Sequence, residues 1–147
     1  METALSIAAV IISIISIMVT AFTFHWTVVR DRRQATLDAY NRLQEQALDF
    51  INRYTIPEIK EIIKNTKSDE YRELTSCVAK IEHFCVGVNQ EIYSRETVYE
   101  LAHGYFDGYL KNRIEPVINK KNWGNYDYYS NIHRVYAWME EKQKGNS

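Results

Sequence analysis

Apolar and polar positions divide this chain into two regimes. From Thr3 to Val29 there is no charged side chain if His25 is neutral, and Glu2 is the only ionisable side chain before that stretch. A helix over these 27 residues is about 40 Å long, more than the roughly 30 Å of a hydrocarbon core. The eleven Leu, Ile, Val and Phe residues between Leu5 and Phe24 together contribute roughly −3 to −6 kcal/mol to insertion, so the segment is predicted to cross a membrane. His25 and Trp26 mark an interface belt, and tilt takes up the surplus length. A cleaved signal peptide needs a basic start and a small-residue cleavage site, whereas this segment starts with Glu2 and ends in Phe22, Phe24, His25 and Trp26. An uncleaved anchor is expected.

Beyond Arg30 the apolar positions recur at helical spacing. Leu37, Tyr40, Leu43, Ala47, Phe50 (or Ile51) and Tyr54 predict that the first helix continues out of the membrane until Pro57 ends it. A short helix, "PEIKEIIKN", presents Ile59, Ile62 and Ile63. In "SDEYRELTSCVAKIEHFCVGVNQEIY" the residues Tyr71, Leu74, Val78, Ile81, Cys85, Val88 and Ile92 alternate in steps of three and four, behind an N-cap at Ser68. Ser94 begins another helix, "RETVYELAHGYFDGYLKNRIEPVINKK", which Pro116 should kink or end. After the turn "NWGN" a last helix runs from about Tyr126 to Gln143, with Tyr129, Ile132, Tyr136 and Met139 on one face and the polar tail "KQKGNS" after it.

These elements predict an all-α protein: one N-terminal transmembrane helix, residues 1–29, followed by an antiparallel cytosolic helical bundle, residues 30–147. The Tyr, Trp and Phe residues are read as core; the sharper alternative makes Trp123, Tyr126, Tyr128 and Tyr129 an exposed aromatic binding patch. Gly104 and Gly108 either admit a neighbouring helix closely or mark a local bend.

Composition narrows the chemistry. A hydrophobic share of 46% and a charged share of 25% are ordinary for a globular chain. Apart from Glu2 the 18 Lys and Arg residues are balanced by 18 carboxylates (19 less one), and the dense basic cluster Arg30, Arg32 and Arg33 adjoins the apolar segment. Lipid headgroups are therefore its nearer partner and nucleic acid is not expected. The same arginines, by the positive-inside rule, leave the C-terminal part in the cytoplasm and the N-terminus outside, which for a bacterial chain means the inner membrane. Cys77 and Cys85 stand eight residues apart in one helix, about 12 Å of rise, and read as reduced core thiols. His25, His83, His103 and His133 form no metal-ligand spacing. The chain has no glycine-rich phosphate loop, HExxH, GxSxG or CxxC, so neither an enzyme nor a cofactor is expected.

The stretch "VAKIEHFCVGVNQEIYSRETVYELAHGYFDGYLKNRIEPVI" resembles a bacterial family known as domain of unknown function 4760. That resemblance implies one N-terminal membrane helix, an arginine-rich exit and a helical cytosolic domain, with no activity to carry over. Glu82 is the position it singles out. Beside Ile81 and Cys85 its carboxylate lies at the margin of the core and is expected to form a structural ion pair with Arg113, Arg134 or Lys80. A catalytic role is disfavoured, because no second acid, metal set or nucleophile accompanies it.

The apolar segment also carries its hydroxyls in order. Ser6, Ala9, Ser13, Ser16, Thr20, Thr23 and Thr27 fall at intervals of three and four, and every serine and threonine from residue 6 onward in the span lies on that seam. In lipid, helices associate through small residues and interhelical hydrogen bonds, and a heptad seam favours a left-handed crossing near +20°. The alternative is a lone anchor whose hydroxyls bond their own helix. The expected function is a single-pass, membrane-anchored scaffold that self-associates through this seam and engages a cytosolic or membrane protein partner. The alternative is an oligomeric pore-forming or membrane-disrupting effector, possibly in bacterial defence, gated by its cytosolic domain.

Overall fold

The computed structural model describes residues 2–119 and 128–145. All regular structure among them is helical. Helix α1, Glu2–Leu43, passes through a π-helical turn, Gln44–Leu48, into α2, Asp49–Asn52, with no break in the rod. The boundary expected at residues 29 and 30 therefore falls inside one helix. Then come α3, Ile56–Lys64, and α4, Asp69–Asn89. A second continuous rod is built from α5, Arg95–Tyr105, a π-turn, Phe106–Leu110, and α6, Lys111–Ile118. Helix α7, Ser130–Gly145, closes the bundle. The turn "NWGN", Trp123, Tyr126 and the expected first residues of the last helix lie outside the described residues. Within them that helix starts at Ser130, after a turn at Tyr128 and Tyr129.

Proline does not stop the first rod. Asn52 ends it, and Pro57 lies in the first turn of α3, where its missing N–H costs no helical bond. Glu58 accepts a hydrogen bond from the Thr55 N–H at 2.7 Å and closes that start. Pro116 is likewise inside α6, two residues from its end. Ser68 and Ser94 cap α4 and α5 through the N–H groups of Tyr71 and Thr97.

The core follows the predicted seams, with corrections at their ends. Leu74, Val78, Ile81, Cys85 and Val88 are buried along α4, whereas Ile92 is 56% exposed because the helix has already ended. Glu91 takes a positive φ of 57°, and the N–H groups of Ile92 and Tyr93 both reach back to the Gly87 carbonyl. In the first rod Leu43, Ala47, Leu48, Phe50 and Ile51 are buried. The π-turn adds a residue to the rod, so Phe50 and Ile51 both reach the core where the sequence offered one or the other. Leu37 is exposed, and Thr36 takes its place.

Gly104 and Gly108 admit no close neighbour: a methyl group on either meets nothing within 4 Å. Gly104 precedes the Phe106–Leu110 π-turn and Gly108 lies within it, where the helical ladder is irregular. Gly87 is the glycine that packing requires. Its Cα faces the Tyr93 ring, which stacks on Phe84 at 5.3 Å, and a methyl group there lies 2.7 Å from Tyr93 Cδ2. Gly87→Ala should destabilise the chain by about 1–3 kcal/mol through overpacking. Thermal unfolding of the full chain in detergent, followed by tyrosine and tryptophan fluorescence, checks this against Gly108→Ala, which should not lower the midpoint.

Candidate membrane helix interface

The apolar half of α1 has no partner within the chain. Every large apolar side chain described from Ile7 to Val28 is at least 40% exposed, and Phe22 and Phe24 reach 70%. This one helix is long and apolar enough to span a membrane. Water would solvate such a surface at a cost of roughly 25 cal/mol per Å² of apolar area.

On that helix Ser6, Ala9, Ser13, Ser16, Thr20, Thr23 and Thr27 share one stripe. An α-helix drifts by about 20° per heptad against a seven-residue repeat, so over three heptads the stripe slants around the rod by about 60°. A second rod can follow that slant only by a left-handed crossing. Five of the hydroxyls donate to the carbonyl four residues earlier: Ser13 to Ala9, Ser16 to Ile12, Thr20 to Ser16, Thr23 to Val19 and Thr27 to Thr23, at 2.8–2.9 Å. Each hydroxyl proton is thus satisfied without a neighbour, which lowers its cost in hydrocarbon and leaves oxygen lone pairs and a low, knob-free surface along the seam. A shallow hollow between Ser16, Thr20 and Phe24 lies on it.

Arg30, Arg32 and Arg33 follow, all exposed. Arg30 pairs with its neighbour Asp31 at 3.2 Å, so the collar carries a local charge of +2, three arginines less one aspartate.

Thr36 ties this helix to the bundle. It is fully buried, donates to the Arg32 carbonyl at 2.7 Å and accepts the Ser94 backbone N–H at 2.8 Å. Ser94 is the N-cap of α5, so its own N–H belongs to no helix and needs this acceptor. The contact lies seven residues beyond Val29, about 10 Å along the axis, which holds the bundle close to the collar. Sequence reasoning missed it, although a register was available: Thr36, Tyr40, Leu43 and Ala47 follow steps of four, three and four. Polarity hid the signal.

Glu82 is not held by a cation. One carboxylate oxygen accepts from the backbone N–H of Asn131 at 3.1 Å and from its side-chain amide at 2.7 Å, and the other from the N–H of Ile132 at 2.9 Å. A residue of α4 therefore caps α7, with the positive end of the α7 dipole standing where a base was expected. Asn89 completes the clamp by donating to the Asn131 side chain at 3.0 Å. Two of the expected bases serve backbone carbonyls instead: Lys80 donates to Gln46 at the π-turn, at 3.2 Å, and Arg113 to Tyr54, also at 3.2 Å. Arg134 is exposed.

Cys77 and Cys85 are free and buried, and burial pushes both thiols above their usual range. Among the described residues no three His, Cys, Asp or Glu side chains converge as a metal-binding group. His103 rests its Nδ1 on the Tyr99 carbonyl at 2.7 Å and its ring on the Tyr99 ring at 4.5 Å.

Compared with known proteins, residues 5–138 match a family described as Domain of unknown function (DUF4760). No curated protein and no solved structure matches. The matched span begins inside the apolar segment and ends in α7.

Two substitutions test the contacts described above. Thr36→Val strands the half-buried Ser94 N–H, and Glu82→Ala leaves the α7 start uncapped; each should cost about 1–3 kcal/mol. Amide hydrogen exchange on the full chain should show faster exchange at Ser94–Val98 in the first and at Asn131–His133 in the second, with the opposite sites unchanged.

Proposed function

We propose that this chain, which belongs to the Domain of unknown function (DUF4760) family, is a single-pass membrane-anchored scaffold that self-associates through its hydroxyl seam and presents a helical bundle to a protein partner. In this reading the N-terminus lies outside, the bundle is cytoplasmic, the membrane is the bacterial inner membrane, and the chain performs no catalysis. The observation that carries the proposal is the uncovered apolar face of α1 bearing one ordered stripe of small and hydroxylated residues.

Several features support it. The family match includes the apolar segment together with the bundle, which fits a unit whose two parts work together. The rod passes between them without a linker, so bringing two seams together also brings two bundles together in a defined rotation. The own-helix bonds of five hydroxyls are the arrangement of a lone anchor as well, so they leave association to close packing; they do weigh against a water-lined path, since hydroxyls that have spent their protons are poorer hosts for water. Interhelical hydrogen bonds in lipid contribute only about 0.6 kcal/mol each, so close packing along the whole seam is the larger contribution.

Cysteine crosslinking in native membranes tests the seam. Ser13→Cys should give disulfide-linked dimers on mild oxidation, and Ile14→Cys, one position around the helix, several-fold fewer. Equal yields from the two positions would refute the seam, and Ser13, Ser16 and Thr20 replaced together by Phe should abolish the Thr23→Cys crosslink.

A further inference from the structure

The hydroxyl stripe does not end at the arginine collar. Its steps of three and four, carried on from Thr27, fall on Arg30, Gln34, Leu37 and Asn41, and the rod that bears them has no break there. The bundle packs on another side of the same rod, through Thr36, Tyr40 and Leu43. At about 100° per residue, Gln34, Leu37 and Asn41 stand about 125° around the axis from those three. Gln34 and Asn41 are exposed, and Leu37, at 36%, is the one large apolar side chain of the rod beyond the collar that stands exposed among the described residues. The π-turn Gln44–Leu48 closes the stripe, because its extra residue turns all later positions about 100° off the line.

Opposite charges flank this extension. With the stripe as the a and d positions of a heptad, Gln34 and Asn41 are a, Leu37 is d, Arg33 is g and Asp38 is e. Arg33 and Asp38 are both exposed. Among the described residues Arg33 has no carboxylate within ion-pair distance, and Asp38 meets only the Gln34 side-chain amide, at 3.0 Å. Arg30, itself on the stripe, leans to Asp31 at 3.2 Å and has the length to carry its charge to the headgroup layer.

We propose that below the collar the stripe continues, from Gln34 to Asn41, as a parallel, in-register coiled coil with a second copy of this chain. Copies inserted by the same collar point the same way, so the pair is parallel. Leu37 packs as a d-position knob against Leu37 of the second copy, and Asn41 meets Asn41 of the second copy, an a-position contact that fixes register and strand number. Arg33 of each copy then lies beside Asp38 of the other, g against e, twice by symmetry. Lipid does not cover this face: Leu37 lies eight residues past Val29, about 12 Å along the rod, beyond the roughly 5–8 Å depth of a headgroup layer. A different partner protein requires neither a stripe in phase across the collar nor flanks that complement each other, whereas a second copy requires both. The bundles, about 125° around each rod from the contact, stay clear of the second rod. So short a coil adds to the contact in the membrane and does not replace it, and the inference therefore rests on the self-association in the proposed function.

The test is disulfide crosslinking of the full chain in native membranes, with the unsubstituted chain, whose Cys77 and Cys85 are buried, as background. On mild oxidation Asn41→Cys should give at least about fivefold more dimer than Ala35→Cys, which is exposed on the rod away from the stripe. Asp38→Arg should lower the Asn41→Cys yield at least about threefold, and Arg33→Asp added to it should restore the yield, a rescue that lost folding would not give. Equal yields from Asn41→Cys and Ala35→Cys, with Ser13→Cys still crosslinking, overturn the coiled coil and leave the membrane seam standing. Failure at Ser13→Cys as well refutes self-association itself, and a crosslink at Asn41→Cys without one at Ser13→Cys overturns the continuity of the stripe. An Asp38→Arg variant with unchanged yield, or a charge exchange that fails to restore it, overturns the in-register pairing.

Discussion

A single helical rod carries both the apolar segment and one wall of the core, and its hydrogen-bond ladder leaves no hinge at which the two could turn independently. This continuity constrains everything after it. Because the rod emerges from the Arg30–Arg33 collar already helical, the bundle must assemble on its side, and Thr36 fixes how close to the collar that assembly begins. Rotation of the apolar segment about its axis must therefore rotate the bundle as well. The coupling is a consequence of helix mechanics: breaking such a rod means giving up consecutive backbone bonds, each worth about 0.5–1.5 kcal/mol net.

Polar groups inside the bundle serve interruptions in the backbone ladder. Glu82 closes the start of α7, and Arg95 reaches the carbonyls of Val88 and Asn89 at the end of α4. Lys80 takes the Gln46 carbonyl at the first π-turn, and Arg113 takes the Tyr54 carbonyl where the first rod ends, with its guanidinium stacked over Tyr109. Lys111 spans the second π-turn, joining Asp107 to Glu140 of α7. Glu82, Arg95, Lys80 and Arg113 thus each meet a backbone partial charge of opposite sign at a helix end or an irregular turn, while Lys111 pairs with carboxylates. Long side chains are useful here because they reach backbone that no regular neighbour can satisfy.

The helical seams were legible because they repeat. Leu74, Val78, Ile81, Cys85 and Val88 announce their burial through spacing alone, as do Tyr129, Ile132, Tyr136 and Met139. Single polar contacts leave no such trace. A buried Thr36 among RRQAT looks the same in sequence as an exposed one, and Glu82 within an apolar seam states that it needs a partner without naming it. Pro57 misled for a related reason: the residue restricts local geometry, yet whether it ends one helix or opens the next depends on where the previous chain turned.

The sequence by itself determined an apolar helix able to span a membrane, the order of the elements, the core seams of α4 and α7 and the stripe of hydroxyls, because periodicity is a property of the chain. Only the tertiary structure decided that the helix runs without interruption into the bundle's core, that a π-turn brings both Phe50 and Ile51 inside, and that Glu82 caps a helix instead of pairing with a base. Those outcomes depend on which backbone groups remain unpaired once the helices have packed, and that is settled between segments far apart in the chain.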